Sequence, residues 1–177
     1  SEEFTDINLT STVSGTVFNW TVITGAVYGA SAGSGSSITQ ELVNTTNSPK
    51  LVRYAVTPSF TNAGVTCTGT TQNVSVVVSP TPVLTVTNNA PTICSPASTN
   101  ITMVSPTSGA LITWTTAAVA GVTGNVDGTG TSIAQTLTST NTTPTTVSYV
   151  ISITANGCTI PTQTVNVVVN PTPQVTI

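Results

Sequence analysis

Residues 146–155 read TVSYVISITA, with apolar side chains at 147, 149 and 151 and an intervening residue after each. A period of two is typical of a β-strand with one buried face. The β-branched residues Val, Ile and Thr fit a pleated, half-buried surface, and they are abundant throughout the chain. Because long helix-forming residues are scarce, the sequence predicts an all-β fold.

The composition excludes several classes of protein. Hydrophobic residues make up 38% of the 177 residues, which argues against disorder, and no apolar run approaches the roughly 20 residues of a transmembrane helix. Lys and Arg number only two, so nucleic acid is not an expected partner. Histidine is absent, which removes the commonest general base and His-based metal sites. We therefore expect no enzymatic activity, no cofactor and no membrane insertion of this segment.

An internal repeat of about 90 residues organises the chain. INLTSTVSGTVFNW at 7–20 matches ITMVSPTSGALITW at 101–114, and GSGSSITQEL at 33–42 matches GTGTSIAQTL at 128–137. The endings VSVVVSPTP and VNVVVNPTP also coincide. A unit of this length, made of short strands, indicates an immunoglobulin-like antiparallel β-sandwich. In the second unit the predicted strands are 83–87, 100–104, 110–116, 133–138, 146–155 and 163–169.

The repeat sets the predicted domains. Residues 1–81 form the first repeat, whose first strand and partner cysteine are expected upstream of Ser1. Residues 82–172 form the second repeat, and 173–177 are predicted to be the first strand of a following one. Pro-Thr-Pro at 80–82 and 171–173 predicts stiff joints and an extended array, because proline fixes φ and lacks an N–H. The aromatic residues predicted to fill the two cores are Trp20, Trp114, Tyr54 and Tyr149.

The three cysteines suggest an oxidising compartment. Cys94 and Cys158 lie in the same repeat, and we predict that they form a disulfide. Cys67 matches Cys158, and its predicted partner is a cysteine just upstream of Ser1; the alternative is a free or intermolecular thiol.

One acidic cluster could in principle bind Ca²⁺ through its carboxylate oxygens, namely Glu2, Glu3 and Asp6. The second repeat does not keep these acids, so a solvated chain end is the favoured interpretation and no metal site is predicted.

The order of the motifs resembles a known family. Ser-Gly and a Trp-bearing strand are followed by Gly-x-Gly-x-Ser-Ile-x-Gln-x-Leu, then Pro-x-x-Val-x-Tyr, Cys, and Val-x-Val-x-Val-x-Pro-Thr-Pro. This order is similar to the PKD-like repeats of very large cell-surface proteins of Bacteroidetes, including gliding-motility adhesins of the SprB type. The resemblance implies Ig/PKD-type sandwiches in many copies, export to the cell surface by the type IX route, and filaments that contact a substratum.

Two functions follow as hypotheses. The first is a structural repeat of an extracellular stalk or filamentous adhesin, whose partners are neighbouring repeats and a surface polysaccharide or substratum. The alternative is a carbohydrate- or protein-binding module. Sugar binding usually needs exposed aromatic side chains, and only Tyr28 and Phe60 are predicted to lie in loops.

Overall fold

The computed structural model of the protein describes residues 3–24 and 27–175, and it divides into two compact units, Ser1–Thr81 and Pro82–Ile177. The strands of unit 1 are β1 Glu3–Phe4, β2 Ile7–Asn8, β3 Val17–Thr24, β4 Gly33–Ser34, β5 Ser37–Ile38, β6 Glu41–Leu42, β7 Lys50–Asn62, β8 Val65–Thr68 and β9 Gln72–Val78. Those of unit 2 are β10 Thr85–Asn88, β11 Thr92–Cys94, β12 Ala97–Ser98, β13 Ile101–Val104, β14 Ala110–Thr116, β15 Val122–Thr123, β16 Gly128–Thr129, β17 Ser132–Ile133, β18 Thr136–Ser139, β19 Thr145–Ala155, β20 Cys158–Thr159 and β21 Gln163–Asn170.

The all-β prediction is confirmed, since every regular element in the described ranges is a strand. In that part of the chain, no helix has the length and apolar character needed to cross a membrane.

One layer of unit 2 is a sheet in the order β11-β21-β19-β14-β16, with β20 folding back on β19. All pairs in it are antiparallel except β11 with β21, which is parallel. Along β19 the buried side chains are those of alternate residues from Val147 to Ala155. The alternation in TVSYVISITA therefore marks the face that packs on the core.

The opposite layer of unit 2 consists of two three-stranded sheets, β10-β13-β17 and β12-β18-β15. Thr99 and Gln135 lie where the chain passes from one of these sheets to the other. The Thr99 N–H donates to the Gln135 carbonyl at 2.9 Å, and the Gln135 N–H donates to Thr99 Oγ1 at 2.9 Å. These bonds satisfy backbone groups that neither ladder reaches, as buried backbone requires.

Unit 1 repeats this plan with fewer strands. Its larger sheet places β9, β7, β3 and β4 side by side, with β8 folding back on β7, and the short pairs β1-β6 and β2-β5 form the facing layer. Each unit has its own hydrophobic cluster, one centred on Trp20 and Tyr54 and the other on Trp114 and Tyr149. The two tryptophans are each 7% exposed and the two tyrosines are fully buried.

Several strand predictions need correction. The single strand expected at 133–138 is two strands, β17 and β18, because the chain changes sheet at Gln135. The sequence did not predict five short strands, because two or three residues are too few to show a period of two; they are β11, β12, β15, β16 and β20. Phe60 lies within β7 rather than in a loop. Residues 173–175 form no strand, and 176–177 lie outside the described residues, as does the Glu2 of the acidic cluster.

Candidate functional site

The repeated motif Gly-x-Gly-x-Ser-Ile-x-Gln builds a hydrogen-bonded network around the core tryptophan. In unit 2 the Trp114 indole N–H donates to the Val126 carbonyl at 3.1 Å. The Gln135 side chain donates to that same carbonyl at 2.7 Å and accepts the Val126 N–H at 3.0 Å. Tyr149 completes the network by donating its hydroxyl to Gln135 Oε1 at 3.0 Å. The Gln135 side chain thus bonds to the loop backbone and to Tyr149, and it shares the Val126 carbonyl as an acceptor with Trp114.

The same four hydrogen bonds occur in unit 1. The Trp20 indole N–H and Gln40 Nε2 donate to the Ser31 carbonyl at 3.2 and 2.8 Å, respectively. The Ser31 N–H and the Tyr54 hydroxyl both donate to Gln40 Oε1, at 3.0 and 2.8 Å. Ser31 and Val126 occupy matching positions, and each contributes its backbone N–H and carbonyl to the network. In unit 1 the Ser31 hydroxyl also accepts a hydrogen bond from Gln40 Nε2 at 3.1 Å. The Gln, Trp and Tyr side chains are common to both units.

A glycine lies against each tryptophan ring. A Cβ placed on Gly33 would lie 2.6 Å from Trp20 Cζ2, and Gly128 is in the same position against Trp114. This contact explains why the first glycine of the motif is needed: any side chain there would displace the indole from the core. The tryptophan and tyrosine of each network are buried, the two glutamines are half-buried, and Ser31, Gly33 and Val126 lie at the surface.

Burial changes the acidity of both tyrosines. It raises the pKa of Tyr54, and it raises the pKa of Tyr149 to about 12, although a hydrogen bond with Thr99 acts in the opposite direction. The cause is desolvation, which penalises the charged phenolate. Both phenols stay protonated at neutral pH and serve as hydrogen-bond donors to glutamine.

Unit 2 is expected to lose stability as the pH rises above 10. An unfolded tyrosine ionises near pH 10, whereas folded unit 2 holds the Tyr149 proton until about pH 12. Stability is therefore fully present below pH 10 and falls between pH 10 and 12. Urea-unfolding midpoints of unit 2 at pH 9 and 11, followed by hydrogen exchange of β19, should show this fall. Tyr149→Phe should reduce the difference between the unfolding midpoints at pH 9 and pH 11. An equal difference in the variant and in the unchanged protein would show that Tyr149 does not cause the loss.

The predicted Cys94–Cys158 disulfide is wrong, and the strand register shows why. Cys94 pairs with Asn170, next to the Val169–Thr145 pair at the start of β19. Cys158 pairs with Ala155, at the other end of β19. Ten residues of strand separate these ends by about 33 Å, whereas a disulfide needs Cα atoms within about 7 Å.

The same geometry counts against the bridge proposed for Cys67. Cys67 pairs with Phe60, far along β7 from the Lys50–Val78 pair. An upstream counterpart of Cys94 would lie near Val78 and out of reach. Cys67 and Cys94 are both exposed thiols, so the cysteines no longer support an oxidising compartment.

A groove of about 820 Å³ lies within unit 2, where β11, β18 and the segment after β21 meet. Hydroxyl, amide and proline side chains line it: Ser95, Pro96, Thr138–Asn141, Thr142 and Pro171–Gln174. None of these lining side chains is an acid or a base, so the groove offers hydrogen bonds but no proton-transfer chemistry. No sequence motif pointed to this groove, because its residues are scattered over 80 positions.

Other candidate ligand sites are sparse. Within the described ranges, no three His, Cys, Asp or Glu side chains are grouped so as to hold a metal ion. Tyr28 is 70% exposed beside an isolated bridge to Val43, whereas Phe60 is half-buried. Tyr28 is thus the one predicted loop aromatic that the structure leaves open to solvent.

Comparison with known proteins places the repeat in a family. Residues 1–82 and 91–173 each match the PKD-like domain, and together they span most of the chain. No curated protein sequence matches the chain. The two matched segments contain the two Trp–Gln–Tyr networks described above. The chain therefore belongs to the PKD-like domain family, of which it carries two consecutive copies.

Proposed function

We propose that this chain is a non-catalytic length of structural repeats from an extracellular stalk or filamentous cell-surface adhesin. PKD-like domains are extracellular structural or binding modules, which supports the coarser part of this proposal. The observation that carries it is the duplicated Trp–Gln–Tyr network, because the residues that the two units share are those that stabilise the core. The exposed Tyr28, by contrast, has Thr123 at the matching position of the second repeat.

The composition supports the same function. Side chains with full charge make up 4% of the sequence, and hydroxyl and amide groups solvate the surface instead. Interactions between exposed charges are screened by salt, so a surface with few of them changes little with ionic strength. Such a surface suits a spacer exposed to a variable medium. We extend the proposal to gliding-motility adhesins exported by the type IX route, on the strength of the motif order alone.

Small-angle X-ray scattering tests the stalk function. Polypeptides with two, four and six units should increase in maximum dimension in proportion to the number of units, and equally at low and high salt. As a matched control, a ten-residue Gly/Ser insertion after Thr81 introduces a flexible linker and should broaden the distance distribution. A dimension that grows only slowly, as for a compact particle, would count against a stalk.

A binding module is the second candidate, and the groove lined by Ser95, Asn141 and Gln174 is the observation that favours it. Its hydroxyl and amide groups match the hydrogen-bonding chemistry of a neutral polysaccharide or an extended peptide. Glycan-array binding by the full chain that disappears in Asn141→Ala would support this function, and an array without signal would argue against it.

A further inference from the structure

Two exposed aromatic side chains of unit 1 lie on one face of its smaller layer. Phe4 is 68% exposed and pairs with Glu41 across β1 and β6. Tyr28 is 70% exposed and pairs with Val43, one residue beyond β6, through two backbone hydrogen bonds of 3.0 and 3.1 Å. Directly opposed residues of antiparallel strands project to the same side. Leu42 is buried between Glu41 and Val43, so the alternation along the strand turns these two residues and their partners outward.

The four residues Phe4, Glu41, Val43 and Tyr28 are named the aromatic platform. The Cα atoms of Phe4 and Tyr28 are about 12 Å apart, given the usual spacing of strands and of residues along them. Gly29 fixes the position of Tyr28, because its φ of 89° and its close approach to the Glu41 carbonyl leave no room for a side chain. The two aromatic residues therefore stand on a fixed backbone, with a carboxylate on the strand between them.

The platform is exposed because of the fold of the unit. In unit 2 the matching positions are Ser98, Thr136, Thr138 and Thr123, and all four are exposed. The segment that precedes Ser98 forms β11, which pairs with β21 in the opposite layer and does not cover this face. The two units thus present the same open face, with hydroxyl groups in unit 2 and with aromatic rings and an acid in unit 1.

The chemistry of the platform indicates a polymer that is rich in hydroxyl groups and has no charge. Aromatic rings offer flat apolar faces on which the C–H groups of a sugar ring stack. The Glu41 carboxylate accepts hydrogen bonds from hydroxyl groups, whereas an apolar protein or lipid surface would bury it without a partner. An acidic polymer would be repelled, because the chain has a net charge of −3 and its two cations, Lys50 and Arg53, lie on β7 in the other sheet.

We propose that the aromatic platform of unit 1 binds a neutral polysaccharide. One sugar ring stacks on Phe4 and another on Tyr28, and hydroxyl groups between them donate to Glu41. This site goes beyond the stalk function and does not depend on it, because scattering by the array and sugar binding are separate measurements. It also differs from the unit 2 groove, since its residues come from β1, β6 and the loop at Gly29.

Affinity electrophoresis of the full chain tests the platform. The native gels contain dextran, laminarin, galactomannan or xylan as neutral polymers, and alginate as an acidic one. Migration should be retarded by at least one neutral polymer and not by alginate. Migration that no neutral polymer retards, or that alginate retards to the same extent, would overturn the proposal.

Substitutions taken from unit 2 identify the binding face, because the matching backbone already carries those residues there. Phe4→Ser and Tyr28→Thr should each weaken binding about tenfold, since each removes one stacking contact. Glu41→Gln should weaken it severalfold, because a neutral acceptor bonds more weakly than a carboxylate. The control Val65→Ala changes a side chain that is 67% exposed in β8, and it should leave binding within about twofold. Hydrogen exchange of β7 should be unchanged in every variant, as expected if unit 1 stays folded.

The same variants distinguish the platform from the groove. If Asn141→Ala weakened binding while Phe4→Ser and Tyr28→Thr did not, the sugar would lie in the unit 2 groove and the platform would be refuted. Equal effects of Tyr28→Thr and Val65→Ala would also contradict it.

Discussion

Replacing Trp114 with alanine is expected to destabilise unit 2 by about 3–5 kcal/mol, the usual cost of deleting a large aromatic side chain from a core. Trp114 is 7% exposed and packs in one cluster with Ile112, Tyr149 and Ile151. Gly128 cannot fill the resulting space, because it has no side chain. Urea unfolding monitored by hydrogen exchange of β14 and β19 would measure the loss.

Leu111→Ala is the matched control for Trp114→Ala. Leu111 is the neighbour of Ile112 on β14, but it is 55% exposed on the outer face. Its truncation should change stability by about 0.5 kcal/mol or less, as for most surface positions. Comparable losses in the two variants would mean that Trp114 is not the centre of the core. Trp20→Ala should likewise destabilise unit 1, where Trp20 is also 7% exposed and makes the matching hydrogen bond.

The repeat within the sequence was enough to predict the fold class, because residues that coincide in two copies share a structural role. Strand β19 illustrates this: its alternation is long enough to identify the buried face from the order of its residues alone. The short strands could not be predicted in the same way. Ser132–Ile133 and Thr136–Ser139 look like one strand in the sequence. They are divided at Gln135, whose backbone carbonyl and N–H bond to the Thr99 backbone and hydroxyl.

The cysteines show a different limit. Two cysteines in one repeat suggested a bridge, but spacing along the chain does not say which end of a strand each cysteine reaches. That depends on register, which comes from the pairing of β11 with β21 and of β20 with β19. The glutamine network left a signal in the sequence, since Gln40 and Gln135 are identical at matching positions of the two repeats. That identity was the available signal for a hydrogen-bonding role.

Replacing Gly124 with alanine is expected to destabilise unit 2 by about 2–5 kcal/mol, from two separate causes. Gly124 has a φ of 97°, and an L-residue in the left-handed region costs about 1–2 kcal/mol. Its added Cβ would also overlap the carbonyl oxygen of Thr136, which is backbone held in β18 and cannot rotate away. Overpacking of this kind costs about 1–3 kcal/mol more. Urea unfolding followed by hydrogen exchange of β15 and β18 would measure the sum.

Gly157→Ala in the same unit separates these two causes. Gly157 has a φ of 83°, but a Cβ there would meet no atom within 4 Å. Its substitution therefore carries the backbone strain without the overlap, and we expect a loss of about 1–2 kcal/mol. The difference between the two variants gives the cost of moving β15 away from β18. If Gly124→Ala cost no more than Gly157→Ala, the close approach at Thr136 would be adjustable. In that case Gly29→Ala, whose added Cβ would likewise overlap the Glu41 carbonyl oxygen, should lose only the stability that the backbone strain costs.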